Sequence, residues 1–514
     1  MTVDAKFKIA QAVAIRDGKF IAVGRDEDIK AYAGKKTAII DLTKRPVTPG
    51  IIDSHTHPVG VGRNLLADVQ ISDVTCLKDI FDRLANAQAT ATSGKWLTTT
   101  ASWYVGQVER RPKLDELDAV TPKNPLWLPL GAYEGFMNSV GIKLAGINKD
   151  TPNPPGGIVY KDEKTGEPTG HLRGTAMKPI KDLLPPIEPP SGLRKAVQYY
   201  NSIGVTAVCS EGLDYYFHRA LEAYQLLKYS GELNIRCVLT LGISEGMSKE
   251  EIFGMTRALS CSGLPRGGLG DNLLKVIGLK TVDENTATGE PLWPRELLRD
   301  VLLEAAKNKV SVRIHAVCAG VGDILDLYRE VNRQHPITDL RWAVVHMHMQ
   351  TPEFIKTAKE LGLVIQHDLG FAFIGVGPKT WYGEIHGAPK HPGRLIAPVP
   401  LYLKEGIPFS LNSDAGGANN QLSVWVSAYV ACNRKKWPGW GDEYGISRED
   451  ALRAVTIGGA FRLGMENKIG SVEVGKLADL AVLSENPLTC EPEKIRDIRA
   501  EMTILNGQIV YEAN

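Results

Sequence analysis

Eight short apolar segments recur along the chain between residues 51 and 414, and stretches with helical periodicity separate most of them. Two of these stretches, 295–306 and 351–361, carry clear helix signals, including a threonine at the start of the second and a proline in its first turn. Alternating strands and helices in this number predict an α/β fold, a (β/α)₈ TIM-like barrel. The predicted strands cover residues 51–57, 205–209, 235–241, 274–280, 310–315, 342–346, 363–366 and 408–414.

Both ends of the chain carry short β segments. Two apolar runs flank a turn at residues 16–19, and a strand at 475–483 is followed by a hairpin over 502–511 that turns at Asn506-Gly507. Neither end can bury a sheet face alone, so the two ends are predicted to form one small β-sandwich. We therefore expect sandwich segments at 1–50 and 469–514 around a barrel at 51–468, with an inserted subdomain at about 62–200 after the first barrel strand.

The bulk composition is that of an ordinary globular protein. The 514 residues are 43% hydrophobic and 23% charged, with a formal net charge of +1. Such a balance gives no electrostatic surface for nucleic acid or an anionic membrane, so the expected partner is a small molecule in a pocket. No leader-like or membrane-spanning segment is evident in the sequence, and the cytoplasm is the expected location.

Several of the predicted strands end in a residue that can bind a metal. His55 and His57 are two positions apart at the end of the first strand, so both imidazoles can face the same way. The carboxyl ends of barrel strands meet at one mouth, which would bring distant side chains together. Imidazoles and a carboxylate suit zinc or another borderline divalent ion. The other strand-end candidates are Lys280, His315, His346 and Asp414.

With these residues in that order, the chain resembles the amidohydrolase superfamily, and in particular its amidohydrolase family 3 branch, which includes N-substituted formamide deformylases. The resemblance covers nearly the whole chain. The matching segments are 49–57, 138–139, 154–157, 166–170, 315–317, 412–414, 456–460 and 470–480.

The resemblance implies a role for each metal-site residue. His55 and His57 would hold one divalent ion with Asp414, and His315 and His346 would hold a second. Lys280 falls where binuclear members carry an N-carboxylated lysine, formed with CO₂, that bridges both ions. If Lys280 is instead an ordinary salt-bridged lysine, the site is mononuclear. The expected cofactor is zinc, one or two ions per chain.

The resemblance also implies a reaction. A metal-held water would attack a carbonyl carbon, and Asp414 would take the water's proton and pass it to the leaving nitrogen. The expected activity is hydrolysis of a C–N bond in a small amide, formamide, cyclic amide or imide. Deamination of an aromatic base or decarboxylation at one metal is the alternative within the superfamily, and a metal-binding pseudoenzyme or scaffold is the alternative outside catalysis. A homo-oligomer is the family tendency.

Three positions depart from the family pattern. Tyr133 stands where a histidine is usual, Gly174 where a glutamate is common, and His348 follows His346 where relatives carry Ala-Gln. Tyr133 and His348 are therefore candidate substrate-binding residues, with packing or support of the site as the alternative role. These departures leave the substrate open.

Overall fold

A computed structural model gives the fold of the chain. It describes residues 1–71, 73–100, 108, 110–130, 134–154, 157–184, 188–213, 220–260, 267–284, 290–317, 320–372, 395–416, 423–436 and 441–513.

A curled parallel sheet forms the centre of the molecule. Six strands pair side by side in chain order, and two further strands pair with each other in parallel. The alternating strands and helices confirm the predicted α/β class. The six strands are β1 (Ile51–Thr56), β2 (Val205–Leu213), β3 (Arg236–Gly242), β4 (Leu274–Val282), β5 (Ser311–Ala316) and β6 (Ala343–His346), and the pair is β7 (Ile365–His367) and β8 (Phe409–Leu411).

Backbone hydrogen bonds outside the regular ladders connect the two parallel sheets. The amide of Val364, just before β7, donates to the carbonyl of Trp342, just before β6, over 3.0 Å. The amide of Asp414, just after β8, donates to the carbonyl of His55 on β1 over 2.9 Å. The first bond joins the amino ends of β6 and β7, and the second joins the carboxyl ends of β1 and β8, where the candidate site lies.

Helices follow most of the strands and cover one face of the sheet. Their apolar faces and the outward side chains of the strands form the main core, whereas a smaller cluster from β1 to β4 packs against residues 457–469. Thr351 caps its helix as predicted, because its hydroxyl accepts a hydrogen bond from the amide of Phe354. The α-helices are Asp26–Lys30, Pro58–Leu65, Leu77–Thr90, Leu114–Val120, Ser139–Leu144, Lys178–Leu183, Pro189–Ser202, Ala220–Tyr229, Lys249–Ala258, Arg295–Lys307, Val321–Gln334, Pro352–Glu360, Val399–Glu405, Val424–Cys432, Arg448–Ala454 and Ile457–Arg462.

The two ends of the chain share one antiparallel sheet. Its four strands, in spatial order, are Gln508–Glu512, Ala500–Leu505, Leu480–Leu483 and Val47–Pro49. The hairpin of Ala12–Arg16 and Lys19–Gly24 packs against this sheet through the buried ring of Phe20. The turns predicted around Gly18 and at Asn506-Gly507 both join paired strands.

A second sheet lies in the predicted insertion. Its five strands, in spatial order, are Leu97–Thr98, Leu126–Leu130, Glu134–Met137, Pro168–Gly174 and Gly157–Lys161. It has its own apolar clusters, one of them including the helix Leu77–Thr90. Three further short strands are Leu269–Gly270, Met349–Gln350 and Leu395–Ile396. Within the described ranges, no helix is long and apolar enough to cross a membrane.

Candidate metal centre

The two histidines of the His-x-His motif lie at the end of β1. The strand ends at Thr56, and His57 is the residue that caps the helix Pro58–Leu65, so the prediction that the strand includes His57 is wrong by one residue. Proline at the first helical position explains the sharp stop, because it cannot donate to a strand ladder but fits the first turn of a helix. Both imidazoles still reach the same point.

The imidazoles of His55 and His57 both reach the carboxylate of Asp414. Its Oδ1 lies 3.2 Å from Nε2 of His55 and 3.2 Å from Nε2 of His57. Asp414 has a φ of 48°, a left-handed conformation that costs energy for a residue other than glycine and that is common at functional sites. Burial alone would raise the pKa of Asp414, but the charge of His55 and the hydrogen bonds from both histidines lower it well below its usual value.

Ser413 fixes the backbone next to Asp414. Its amide and its hydroxyl donate to the two carboxylate oxygens of Asp53 on β1, over 3.0 and 2.5 Å. Burial raises the pKa of Asp53 to about 7, although the hydrogen bonds from Ser413 oppose this. These contacts tie the end of β8 to β1 and so hold Asp414 beside the histidines.

His346 and His315 complete a group of buried imidazoles. The ring of His346 lies 5.3 Å from that of His55 and 4.4 Å from that of His315, measured between centroids. Ligand atoms of His55, His346 and Asp414 all lie within 4.8 Å of one another. Burial, and then the neighbouring His346, lower the pKa of His315 well below its usual value, which favours the neutral imidazole that binds metals.

The donor set fits a divalent metal ion. Two ligands on one tetrahedral zinc are roughly 3.3 Å apart, given zinc–nitrogen and zinc–oxygen bonds of about 2.0–2.2 Å. The 3.2 Å distances from Asp414 to His55 and His57 match this spacing. Among the described residues, Nε2 of His315 has no hydrogen-bond partner although it is fully buried, which a metal ion at this point would explain.

Lys280 lies on β4, the strand that pairs with the one carrying His315. Its side chain is buried, and the hydrogen bond found for its ammonium is a long one, 3.4 Å to the carbonyl of Thr281. In the described part of the chain, no acidic side chain lies within 4.0 Å of Nζ. Burial lowers the pKa of Lys280 to about 8, although the charges of Glu211 and Asp414 oppose this.

A chain of buried polar side chains supports His55 from below. Arg462 donates through Nε to Oε1 of Gln366 over 2.5 Å, and Nε2 of Gln366 lies 2.8 Å from Nδ1 of His55. Arg462 also donates to Glu211 over 2.9 Å, and Arg313 lies 3.3 Å from the same carboxylate oxygen. Burial would raise the pKa of Glu211, but Arg313 and Arg462 outweigh it and lower the pKa to about 2.

His346 has its own carboxylate partner. Oδ1 of Asp368, the residue after β7, lies 3.0 Å from Nδ1 of His346 and 2.9 Å from Nε2 of His348. Burial would raise the pKa of Asp368, but these two histidines lower it well below its usual value. Sequence patterns did not predict the contacts of Asp368, Gln366, Glu211 and Arg462. For Asp368 a signal was present, since it is a carboxylate at the end of a predicted strand segment.

The structure brings together most of the predicted site residues. His55, His57, His315, His346 and Asp414 form one buried cluster, and Lys280 lies on the strand beside His315. His348 is 1% exposed and contacts Asp368, so its part in binding substrate stays a prediction. Tyr133 lies outside the described residues. Gly174 has a φ of 59° and ends the strand Pro168–Gly174, where a glutamate side chain would strain the backbone.

Comparison with known proteins places this geometry among hydrolases. Residues 38–511 match the family model described as "Amidohydrolase family". An N-substituted formamide deformylase from Arthrobacter pascens is 26% identical, over 99% of this chain and 96% of its own length.

Two solved structures share the fold. An uncharacterized metal-dependent hydrolase from Pyrococcus horikoshii superposes with a TM-score of 0.68 at 19% identity, covering 94% of this chain and 95% of the other. Atrazine chlorohydrolase from Arthrobacter aurescens, complexed with zinc, superposes with a TM-score of 0.55 at 16% identity, covering 99% of this chain and 93% of the other.

Proposed function

Because this chain belongs to the amidohydrolase family, we propose that it is a metal-dependent hydrolase that cleaves a C–N bond of a small amide, formamide, cyclic amide or imide. The observation that carries the proposal is the position of Asp414. One of its oxygens lies 3.2 Å from both His55 and His57, within a buried cluster that includes His346. The formamide deformylase relative supports the C–N bond as the target.

His55, His57 and Asp414 would hold one divalent ion, and His315 and His346 would hold a second. When bound, such ions supply a water driven toward hydroxide and a Lewis acid that polarises the scissile carbonyl. Zinc is the proposed metal, because the related chlorohydrolase structure contains zinc and the ligands here are imidazoles and a carboxylate.

Asp414 is the proposed proton carrier. It is ionised, and Oδ1 is held by two imidazoles, so its carboxylate can accept a proton from the attacking water and pass it to the leaving nitrogen. His315 is suited to be a neutral ligand, because burial and the neighbouring His346 lower its pKa well below the usual value. Gln366 contacts Nδ1 of His55 and so limits the rotation of that ring.

We further propose that CO₂ carboxylates Lys280, which would make it a bridging anionic ligand. The neutral amine attacks CO₂, a C–N bond forms, and one proton is released. Burial of the side chain and the absence of an acidic partner among the described residues favour this over the salt-bridged alternative. Two buried guanidinium groups nearby, those of Arg313 and Arg462, share the single carboxylate of Glu211 among the residues that the structure describes, and an additional negative charge would balance them.

Three parts of the architecture also belong to this proposal. We infer that β1 to β8 close into a full barrel, with the hydrogen bonds from Asp414 to His55 and from Val364 to Trp342 as support. We also propose domain limits at residues 50 and 468 and an insertion at about 62–200, and the separate terminal and five-stranded sheets support this division. A homo-oligomer is expected, which light scattering of the purified chain would test.

Metal analysis of the purified protein tests the proposal. The protein is prepared without chelators, with and without bicarbonate, and with Lys280→Met as a matched variant. We expect two zinc ions per chain, and fewer, toward one, when bicarbonate is withheld or Lys280 is replaced by Met. We also expect the protein to hydrolyse at least one compound in a panel of amides, formamides and imides. One ion that is indifferent to bicarbonate would overturn the carboxylated binuclear site and favour deaminase or decarboxylase substrates. Purified protein that contains no metal would overturn the proposed metal-dependent hydrolase activity.

A further inference from the structure

Asp368 joins two histidines that follow β6. Its Oδ1 lies 3.0 Å from Nδ1 of His346 and 2.9 Å from Nε2 of His348. All three side chains are buried, with Asp368 and His348 only 1% exposed. Bulk water therefore does not compete for these contacts, which strengthens hydrogen bonds to the charged carboxylate.

These contacts decide which ring nitrogens carry protons. An ionised carboxylate oxygen accepts hydrogen bonds and donates none, so Nδ1 of His346 and Nε2 of His348 are the donors. A neutral His346 with its proton on Nδ1 has its lone pair on Nε2. The other nitrogen of His346 is therefore ready to bind a metal beside His55 and Asp414, with which it already forms a compact group.

The backbone between the two histidines has an unusual shape that produces this convergence. His346 has a φ of 71° and Met347 a φ of 43°, both in the left-handed region. The amides of Met347 and Met349 donate to the carbonyls of Ala316 and Val317, over 3.0 and 3.2 Å, and so hold the segment against the end of β5. Strained backbone of this kind persists only where surrounding contacts enforce it, and it is concentrated at functional sites.

We propose that Asp368 is a positioning residue that fixes the tautomer and orientation of His346 for metal binding, and that His348 holds Asp368 in place. The inference rests on the proposed metal centre. It assigns His348 a role behind the site, as the anchor of Asp368, rather than a contact with substrate. His348 is suited to this because it shares one carboxylate oxygen with His346 and lies beside a further buried ring, that of His367, at 6.0 Å between centroids.

An alternative use of the same atoms is a second cation site. Ligand atoms of His346, His348 and Asp368 lie within 4.8 Å of one another, and Oδ2 of Asp368 has no hydrogen-bond partner among the described residues. In that case His346 would have to give up both ring protons to bind ions on both sides. The hydrogen-bond lengths favour the positioning role, and the experiment below separates the two.

The experiment measures zinc affinity on the full-length chain after removal of metal with a chelator. Zinc is titrated against a chromophoric competitor, and cobalt is substituted in parallel so that its visible spectrum reports ligand geometry. Asp368→Asn keeps the shape of the side chain but removes the charge and one acceptor. Carboxylates behind metal-binding histidines typically contribute 10- to 100-fold in metal affinity, and a loss of this size is expected in Asp368→Asn.

Two further variants separate positioning from general damage to the fold. His348→Gln retains an N–H donor for Asp368 and should bind zinc within a few-fold of wild type, whereas His348→Leu should lose affinity nearly as Asp368→Asn does. Glu134→Gln is the matched control, since Glu134 is another buried carboxylate on a histidine, 3.1 Å from His171. It should leave zinc affinity unchanged.

The melting temperature of each metal-free variant identifies any that fails to fold. If the Asp368→Asn variant folds and binds zinc as tightly as wild type does, the inference is overturned, while the proposed function is unaffected. The loss of one whole ion per chain in His348→Leu, with the remaining affinity unchanged, would overturn it by showing that His348 is itself a ligand. Wild-type protein that binds no zinc would overturn both the inference and the proposed function.

Discussion

Arg462 donates a hydrogen bond of 2.9 Å to Glu211, and both side chains are completely buried beneath the candidate metal centre. Arg462 also bonds to Gln366, which contacts His55. The stability of the buried interior at the central sheet and the orientation of one proposed metal ligand therefore depend on the same ion pair. This relationship leads to the first two predictions.

Glu211→Gln should destabilise the protein by about 3–5 kcal/mol, because it leaves two buried guanidinium groups, those of Arg313 and Arg462, without their carboxylate. Urea denaturation at neutral pH would measure the loss. Glu466→Gln is the control, since its partner Arg341 is more exposed, and it should cost at most about 1 kcal/mol. Equal losses in the two variants would contradict the prediction.

The contribution of Glu211 should also depend on pH. Its pKa is lowered to about 2 in the folded protein from an ordinary value of 4.5, so its ionised form is favoured by folding. The resulting stability is fully present above pH 4.5 and is lost as the pH falls toward 2. The difference in unfolding free energy between wild type and Glu211→Gln should therefore shrink as the pH falls from about 4.5 toward 2, whereas a constant difference would show that the charge is not responsible.

Asp414→Asn should nearly abolish turnover while leaving most of the bound metal in place. The amide oxygen can still occupy the position of Oδ1 beside His55 and His57, but it cannot carry the transferred proton. Loss of a positioned proton carrier typically lowers kcat by about 10²- to 10⁴-fold. Steady-state kinetics combined with elemental analysis would measure both effects. Substantial remaining activity would remove Asp414 from proton transfer.

His55→Ala should lose zinc and, with it, the stabilisation that zinc provides. An ion that binds only the folded state stabilises it by about 2.7 kcal/mol at 100 times its dissociation constant. The melting temperature of wild type should therefore rise on addition of zinc, while that of His55→Ala should not. His335→Ala changes a histidine outside the metal cluster and should respond as wild type does. A zinc response retained by His55→Ala would exclude His55 as a ligand.

Asp479→Asn should loosen the attachment of the terminal sheet to the central sheet. Arg236 on β3 donates to both oxygens of Asp479 over 2.6 and 2.8 Å, and both side chains are buried. Breaking this pair should cost about 3–5 kcal/mol in unfolding free energy, without a change in metal content. Glu501→Gln, which breaks a half-exposed pair with Arg45 in the same sheet, should cost less than about 1 kcal/mol.

Local sequence patterns determined the central sheet well. Each of the eight predicted strand segments contains a strand, since short apolar runs between turn and helix signals can be buried only in a few ways. The order of the strand-end residues, together with the family resemblance, also identified the five residues of the buried histidine and aspartate cluster. The end of β1 at Thr56 differs by one residue from the prediction, and the ends of β7 and β8 differ by one to a few residues. Helix caps and tertiary contacts decide where such elements end.

Sequence patterns, together with the family resemblance, therefore predicted the strands of the central sheet, the β segments at both termini and the candidate metal ligands, because strands and motif residues can be recognised within short segments. Only the tertiary structure decided which buried polar side chains contact the candidate metal ligands. Gln366 lies on β7 and Asp368 directly follows it, while Glu211 lies on β2 and Arg462 in a helix, and each contacts its partner through the fold rather than along the chain. A buried polar side chain must find a partner wherever the fold provides one, and no local pattern records which partner that is.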